Sequence, residues 1–336
     1  MTARRVTDGR REAIFVAVAG LVLFLSPWVM SGIGGYRALA TRMVIWAIFA
    51  LGFDILLGLT GLLSFGHAAM WGIGAYLAGY SLLHFTDSAV VAILVGVPVV
   101  ALVSMLLGLI TLRRHGIYFA ILTLAFAEMF YFLALTPLQR WTGGDNGLTG
   151  IPQPNFFGWV PRGYGLHAII SGIALAALYG ARRISRSPHG LMLRSIKANE
   201  TRLAFTGVDV FRYKLLAFVV SGAYAGLAGA LYAIYETYVP TDSLHWTTSG
   251  EVVIMSAIGG VGTLIGPMLG AGIVLYLENV LSAETEHWNL ILGLMFMAFV
   301  IFLRGGVVGA IQRLTRVRRS RADRETRVDH RVAVED

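Results

Sequence analysis

The sequence predicts an all-α, polytopic integral membrane protein with about ten transmembrane or membrane-embedded helices. Of its 336 residues, 56% are hydrophobic and only 14% are charged, and the mean hydropathy is +0.70. Soluble domains carry about 25% charged residues, so this composition is that of a membrane protein. Cysteine is absent, which excludes a disulfide framework, a thiol nucleophile and a cysteine-based metal site.

The apolar segments follow one another along most of the chain. Residues Met1 to Arg11 are polar and basic, and the first apolar run extends from Ala13 to Met30. This run is long and no small-residue cleavage site follows it, so we interpret it as a retained span and not as a signal peptide. The other segments are 38–59, 63–83, 88–112, 117–136, 165–181, 215–235, 250–261, 264–281 and 289–303. Several are shorter than the ~20 residues of a simple span, and 250–281 fits either two spans or one re-entrant hairpin.

Basic residues lie mainly on one side of this layout. With the amino terminus inside and ten crossings, residues 1–12, 113–116, 182–214 and 304–336 are cytoplasmic and contain 4, 2, 8 and 9 Lys or Arg residues, 23 of the 27. Arg37, Arg42, Arg140 and Arg162 fall outside. Because basic loops stay in the cytoplasm, both termini are predicted to be cytoplasmic. The net charge of +8 is then topological and does not indicate a nucleic-acid partner.

This layout predicts three regions. A cytoplasmic tail (1–12) precedes a transmembrane domain (13–304), which contains a periplasmic loop (137–164) and a cytoplasmic loop (181–214). A basic cytoplasmic tail (305–336) follows, for which anionic membrane lipid is the simplest partner.

Residues 61–76 read GLLSFGHAAMWGIGAY, so four glycines, a serine and a histidine interrupt a predicted span. One interpretation is close packing of helices through small residues, in which His67 makes a structural hydrogen bond. The other is a broken helix that faces a translocation pathway, with Ser64, Gly66 and His67 offering polar groups to a substrate.

Glu128 lies about three turns into the helix predicted from residue 117. An ionised carboxylate in hydrocarbon costs several kcal/mol, so this side chain should be paired, protonated or in contact with water. It either lines the pathway or lies close enough to the outer interface to be hydrated. Further pathway candidates are Asp54, Tyr118, Glu251 and Glu278.

The periplasmic loop contains WTGGDNGLTGIPQPNFFGW, which is rich in turn-forming Gly, Asn and Pro. A connector of this length is expected to be either a lid over the pathway or a docking face for a soluble partner. Asp145 and Asn146 are the polar groups most available for either role.

The cytoplasmic loop is the predicted contact for an ATPase. The chain has only two lysines, Lys197 and Lys214, and neither follows a glycine, so it contains no Walker A motif. If ATP drives transport, the ATPase is another polypeptide that contacts this chain from the cytoplasm. Mixed apolar and basic residues over 191–208 predict a short amphipathic helix that ends at Gly207. The alternative is a helix that rests on lipid headgroups.

Enzymatic motifs are missing. The sequence has no H-E-x-x-H metal motif, no G-x-S-x-G nucleophile elbow and no dinucleotide fingerprint in a strand–helix context. We therefore expect neither covalent catalysis nor a metal site.

Five blocks in order resemble one family. They are GLLSFGHAAMWGIGAY, RRHGIYFAILTLAFAE, TGGDNGLTG, NETRLAFTGVDVFRYKLLAFVVSGAYAGLAGALYA and GEVVIMSAIGGVGTLIGPMLGA. Together they resemble the permease family of branched-chain amino acid ABC importers, in particular its LivM-type subunit. The resemblance covers the chain from about Leu39 to Arg304.

The resemblance implies a multi-pass subunit of the bacterial inner membrane. It would pair with a second related permease above two ATP-binding subunits, which bind the ATP, so no cofactor is expected on this chain. A periplasmic binding protein would deliver the substrate, a branched-chain or other hydrophobic amino acid; relatives that carry urea, short amides or aromatic acids leave the substrate open. Helix amino termini would favour the carboxylate of a zwitterionic amino acid and Glu128 its ammonium group.

The resemblance also assigns a coupling segment. Residues 194–209 correspond to the cytoplasmic segment that contacts the ATPase, and Glu200, Ala204 and Gly207 lie where the family's E-A-A…G motif is expected. Thr201 and Arg202 depart from that motif. The residues predicted to couple are Arg194, Asn199, Glu200, Ala204 and Gly207.

Two other classes of function compete with an importer permease. An ion-coupled secondary transporter would work without an ATPase and would ideally have several ionisable residues deep in its spans. A non-transporting structural subunit or receptor would leave the glycine-broken helices unexplained.

Overall fold

The computed structural model describes residues 2–32, 34–153, 155–302 and 305–310, and α-helices dominate them. The helices are α1 (Thr2–Gly32), α2 (Arg37–Thr60), α3 (His67–His84), α4 (Ala89–Thr111), α5 (Ile117–Leu135), α6 (Gln139–Thr142), α7 (Tyr164–Arg186), α8 (Pro188–Ala198), α9 (Glu200–Ala204), α10 (Val210–Glu236), α11 (Trp246–Gly259), α12 (Ile265–Glu284) and α13 (Trp288–Phe302). Most of the predicted basic tail, 305–336, lies outside the described residues.

Seven of these helices are long and apolar enough to cross a membrane: α1, α2, α4, α5, α7, α10 and α12. The prediction of an all-helical, multi-pass membrane protein is therefore confirmed. Helices α3, α11 and α13 are shorter. The fourteen residues of α11 span about 21 Å, less than the ~30 Å hydrocarbon thickness, and an irregular stretch, 237–245, precedes them. A turn at 260–264 joins α11 to α12, so these two helices form a hairpin.

Several predicted boundaries differ from the structure: α7 extends five residues beyond 181, α10 begins five residues before 215 and α11 begins four residues before 250. Helix α1 continues to Thr2, so residues 2–12 extend the first helix where we predicted a tail. Residues 61–66 are irregular, and α3 therefore begins at His67 and not near residue 63. The single helix predicted over 191–208 is two helices, because the Asn199 side chain ends α8 and accepts a hydrogen bond from the Arg202 N–H as the cap of α9.

Helix α2 is the centre of the bundle. It buries nineteen of its 24 residues and packs against α1, α7, α10, α11 and α12. Its sequence is apolar all round, as expected for a helix with neighbours on every side. Residues 61–66 and α8 lie at its carboxyl end, which we call the α8 end of the bundle; the opposite end, with residues 137–163, is the loop end.

Small residues allow α3 and α10 to pack at backbone distance. A methyl group at Gly74 of α3 would lie 2.6 Å from the Gly226 Cα of α10. A methyl at Gly226 would in turn meet the Val100 side chain of α4 at 2.7 Å. Packing through small residues stabilises helix pairs in lipid, where no hydrophobic effect holds them together.

A proline defines how α1 attaches to the bundle. Pro27 has no N–H, so the Leu23 carbonyl one turn earlier lacks its helical partner. The His167 Nε2–H of α7 donates to that carbonyl at 3.0 Å, and the Ser26 hydroxyl does so at 2.8 Å. His167 Nδ1 forms a 3.0 Å hydrogen bond with the Thr41 hydroxyl of α2. One imidazole therefore ties α1, α2 and α7 together.

The 137–163 segment is ordered by backbone pairing. Leu148 and Val239 exchange N–H···O=C hydrogen bonds of 2.9 and 3.0 Å. The Asn155 N–H donates to the Asp87 carbonyl at 2.7 Å, and the Ala89 N–H donates to the Asn155 carbonyl at 2.8 Å. The segment thus packs on the loop ends of α3, α4 and α10.

Candidate functional site

The irregular residues 61–66 are held on several sides. Gly61 ends α2 with a φ of +79°. The Phe65 N–H donates to the Thr123 hydroxyl of α5 at 3.1 Å. Ser249 of α11 donates to the Phe65 carbonyl at 2.7 Å and accepts from the Ala68 N–H at 2.8 Å, so it also caps α3. The break between α2 and α3 is therefore a built feature that joins α5 and α11.

His67 is fully buried at the start of α3. The Ser221 hydroxyl donates to the Gly52 carbonyl at 2.5 Å, since a carbonyl can only accept. The 2.7 Å contact between His67 Nε2 and Ser221 Oγ must then be donated by the imidazole, which fixes Nε2 as protonated. This relay joins α2, α3 and α10, and its role in this structure is to brace three helices.

Aromatic rings fill the space around His67. Phe53 meets the imidazole edge to face at a centroid distance of 5.0 Å, and Phe49 packs on Trp71 at 4.8 Å. Trp71 continues to Trp46 at 5.0 Å. The middle of this single chain is thus a packed core.

A cluster of polar side chains lies where α5 meets the start of α11, which we call the α5–α11 face. Glu128 Oε1 of α5 accepts the Trp246 N–H, the first of α11, at 3.2 Å, and lies 3.7 Å from His245 Nε2. Tyr131 of α5 packs edge to face on His245 and donates to Asp242 at 3.4 Å. These side chains remain partly exposed (38% for the Glu128 side chain), which would be costly against lipid.

Asp54 of α2 holds the turn between α11 and α12. It is completely buried, and its two carboxylate oxygens accept the N–H groups of Gly262 and Leu264 at 2.6 and 2.9 Å. Leu264 has a φ of +62°, unusual for a residue with a side chain, so these bonds hold a strained backbone in place. The carboxylate also lies at the amino terminus of α12, where negative charge is favourable.

The α8 end of α2 contacts the coupling segment directly. Lys197 Nζ of α8 donates to the Gly58 carbonyl at 2.9 Å, one turn beyond Asp54. The Glu200 carboxylate of α9 pairs with Lys214, which is buried in α10, at 2.5 Å. His189 of α8 stacks on Tyr213 of α10, and this burial lowers the pKa of the His189 imidazole below its ordinary value. Helices α8 and α9 are therefore attached to both α2 and α10.

The segment from Thr201 to Gly207 leaves an exposed surface. The side chain of Phe205 is 88% exposed, and Ala204 and Gly207 are exposed beside it. Helix α9 ends at Ala204, three residues before the predicted end at Gly207, and Gly207 lies in the turn that follows, where its φ of +83° favours glycine.

Comparisons with known proteins assign the chain to a family. Residues 35–300 match the family described as "Branched-chain amino acid transport system / permease component". The chain belongs to this permease family. It is 28% identical to the high-affinity branched-chain amino acid transport system permease protein LivM of Salmonella typhimurium and 29% identical to that of Escherichia coli K12, in each case over 89% of this chain and 75% of the relative. The autoinducer 2 import system permease protein LsrC of Klebsiella pneumoniae is 28% identical over 52% of each chain. No solved structure matches.

The structure brings some predicted residues of the permease together. Ser64 and Gly66 lie in the break and His67 follows as the first residue of α3, and all three are buried within this chain. Glu128 contacts the start of α11. Tyr118 is 72% exposed and lies on the same helix, about 15 Å from Glu128 along its axis.

The other predicted residues of the permease lie apart from that break. Glu251 is exposed on α11, and Asp145 and Asn146 are exposed in a short 3₁₀ turn of the loop. Arg194 donates to the Ser185 backbone carbonyl and, at 2.7 Å, to the Ser185 hydroxyl. Glu200 faces inward to its lysine, so it is a structural anchor in this structure.

Several polar residues of the permease escaped the sequence reasoning. Ser221 and Ser249 are single small polar residues within apolar helices, where the same pattern also suits simple packing. His245 caps α11 and Trp246 begins it, and this helix is too short to be recognised from its length. Asp54 was predicted to be a pathway residue, whereas the structure uses both of its oxygens to hold the 260–264 turn.

Proposed function

We propose that this chain is the permease subunit of a binding-protein-dependent ABC importer in the bacterial inner membrane, and that it carries branched-chain or other hydrophobic amino acids. Family membership supports the permease role, and one structural observation supports the choice of an amino acid as substrate. A carboxylate and a helix amino terminus, which have opposite electrostatic character, lie next to each other on the partly exposed α5–α11 face.

This arrangement suits a zwitterion. Glu128 presents a negative charge, which attracts an ammonium group. The first N–H groups of α11, at Trp246 and Thr247, present partial positive charge, which attracts a carboxylate. At present Glu128 and His245 occupy these groups through hydrogen bonds of 3.2 and 3.4 Å. A zwitterionic substrate replaces both contacts with its own charges while it passes.

The two ends of the bundle differ in charge and exposure, and we assign the binding places of the partner subunits from these differences. The α8 end carries Arg113, Arg114 and the basic 182–214 loop, so we assign it to the cytoplasm, with both termini on that side after ten crossings. One of the two ATP-binding subunits, which hold the ATP, docks on the exposed 201–207 surface of this chain. The loop end receives the periplasmic binding protein, and a second permease of the same family covers the α5–α11 face.

Transport alternates access between the two sides of the membrane. Helix α11 is held at three points, because Glu128, Ser249 and Asp54 bind its start, its first turn and the turn beyond its end. Lys197 links the coupling segment to the same end of α2 that holds this turn. Movement of α8 by the ATPase therefore reaches α11 through α2.

The substrate is tested by uptake into proteoliposomes. The complete transporter is supplied with ATP inside, the candidate binding protein outside and radiolabelled leucine, and compared with this chain alone. Competition by unlabelled isoleucine supports the amino acid assignment, whereas competition only by urea keeps the architecture and changes the substrate. Uptake by the chain alone would overturn the proposal in favour of an ion-coupled carrier.

The zwitterion site is tested by Glu128→Gln. Glutamine still accepts the Trp246 N–H but removes the charge, so uptake should fall about tenfold, equivalent to the loss of about 1.4 kcal/mol of charge-assisted binding. The dependence of uptake on pH should also change. Glu284→Gln, an exposed carboxylate at the end of α12, is the matched control and should transport normally. Unchanged transport and pH dependence in Glu128→Gln would exclude this site.

A further inference from the structure

A cavity at the loop end lies between α1, α2, α7 and α10, away from the α5–α11 face. Its volume is about 540 Å³, within the range of cavities that hold small molecules. Its walls include Trp28, Tyr36, Arg37, Arg42, Arg162 and Tyr164. The three arginines come from two distant parts of the sequence, so the fold itself collects them here.

These three arginines lie outside the predicted cytoplasmic segments that contain most of the basic residues of the chain. Outside the four basic segments the sequence contains only Arg37, Arg42, Arg140 and Arg162, and three of these four line one cavity. Basic residues at this end of a membrane protein oppose the rule that governs its orientation. Their concentration in one place therefore points to a binding role.

Two of the three arginines lack a neutralising partner. Arg42 forms a bidentate ion pair with Glu236, with distances of 2.5 and 2.9 Å. Glu236 is the one carboxylate among the residues that line the cavity. Within the described part of the chain, Arg37 and Arg162 make no ion pair or side-chain hydrogen bond, and both are exposed. The cavity thus retains about two positive charges.

The surroundings of these arginines match the depth of lipid headgroups. Trp28 and Tyr164 pack with their ring centroids 4.5 Å apart, and Tyr36 also lines the cavity. Aromatic residues of this kind concentrate at the membrane–water interface. Helices α2 and α7 also begin in the cavity without side-chain caps, which adds partial positive charge to that of the arginines.

We propose that this cavity binds a phosphate group, that of an anionic phospholipid headgroup in the outer leaflet or free inorganic phosphate. The planar guanidinium groups of Arg37 and Arg162 each bind two phosphate oxygens, and the Arg42–Glu236 pair forms the floor that keeps Arg42 fixed. The phosphate joins the loop ends of α2 and α7, and α1 lies beside it.

The test titrates the full-length chain in neutral detergent with ligand and follows its thermal unfolding midpoint. The ligands are short-chain phosphatidylglycerol, short-chain phosphatidylcholine and inorganic phosphate. The double variant Arg37→Gln/Arg162→Gln removes both free charges. The matched control is Arg140→Gln, which removes an exposed arginine at the loop end of the bundle but outside the cavity.

We expect phosphatidylglycerol to raise the wild-type midpoint saturably, and phosphatidylcholine to do so only weakly. The half-saturating concentration should rise at least tenfold in the double variant and remain unchanged in Arg140→Gln. A phosphate response that the double variant also loses identifies a free anion as a ligand; a response to phosphatidylglycerol alone identifies the lipid. No saturable shift in the wild type, or an equal shift in all three proteins, would refute the proposal.

Discussion

Asp54→Asn should loosen the turn that connects α11 to α12. The carboxylate accepts two backbone N–H groups, from Gly262 at 2.6 Å and from Leu264 at 2.9 Å, and no water competes because Asp54 is fully buried. Hydrogen bonds to a charged group contribute about 1.5–3 kcal/mol each. Asparagine keeps one acceptor oxygen and turns an NH₂ group toward the second N–H, so at least one bond is lost. The expected local loss is about 1.5–3 kcal/mol.

Hydrogen exchange measures this loss at the turn itself. Local opening governs exchange, and each 1.4 kcal/mol changes the protection about tenfold, so the 260–264 amides should exchange roughly 10- to 150-fold faster in Asp54→Asn. The control is Asp209→Asn, which removes a carboxylate that caps α10 from an exposed position. It should leave the turn protected. Unchanged protection at 260–264 in Asp54→Asn, or an equal loss in the control, would show that the carboxylate does not hold the turn.

Three further substitutions test the packing and the coupling segment. Ser221→Ala leaves the Nε2–H of the α3 imidazole without a partner and removes the side-chain bond to an α2 carbonyl that already accepts a helical N–H, so it should lower stability by about 1–3 kcal/mol, measured as a lower denaturation midpoint. Gly74→Ala brings a methyl 2.6 Å from the backbone of α10 and should abolish folded yield, whereas Gly172→Ala, in open space on α7, should not. Glu200→Gln leaves the buried lysine of α10 unpaired and should weaken ATPase coupling more than Asp209→Asn does, assayed as transport per ATP hydrolysed.

The apolar segments made the helices predictable. Spans predicted at 38–59, 88–112 and 117–136 correspond to α2, α4 and α5 within one residue at each end. Hydrophobicity alone determines such elements, because a helix in lipid must satisfy its own backbone. Helix boundaries that depend on a capping side chain were harder to predict. Asn199, for example, divides the coupling segment into α8 and α9.

The candidate site was less predictable, because its contacts join distant residues. Glu128 and Trp246 are 118 residues apart, and Asp54 and Gly262 are 208 apart. A hydrogen bond over such a separation leaves no periodic pattern in the sequence. The cost of a charge in hydrocarbon predicted that Glu128 would have a partner, be protonated or contact water. It could not identify that partner, which is a backbone N–H at the start of a short helix.

Helix α11 shows why polar residues persist in this apolar bundle. A helix of fourteen residues cannot reach both membrane surfaces, so at least one of its ends lies where lipid would leave N–H or C=O groups unsatisfied. Glu128 satisfies the first N–H, and Asp54 satisfies the turn that follows the last residue. Both carboxylates belong to other helices, α5 and α2. Displacing α2 relative to α5 must therefore either carry α11 along or break a charge-assisted hydrogen bond at one of its ends.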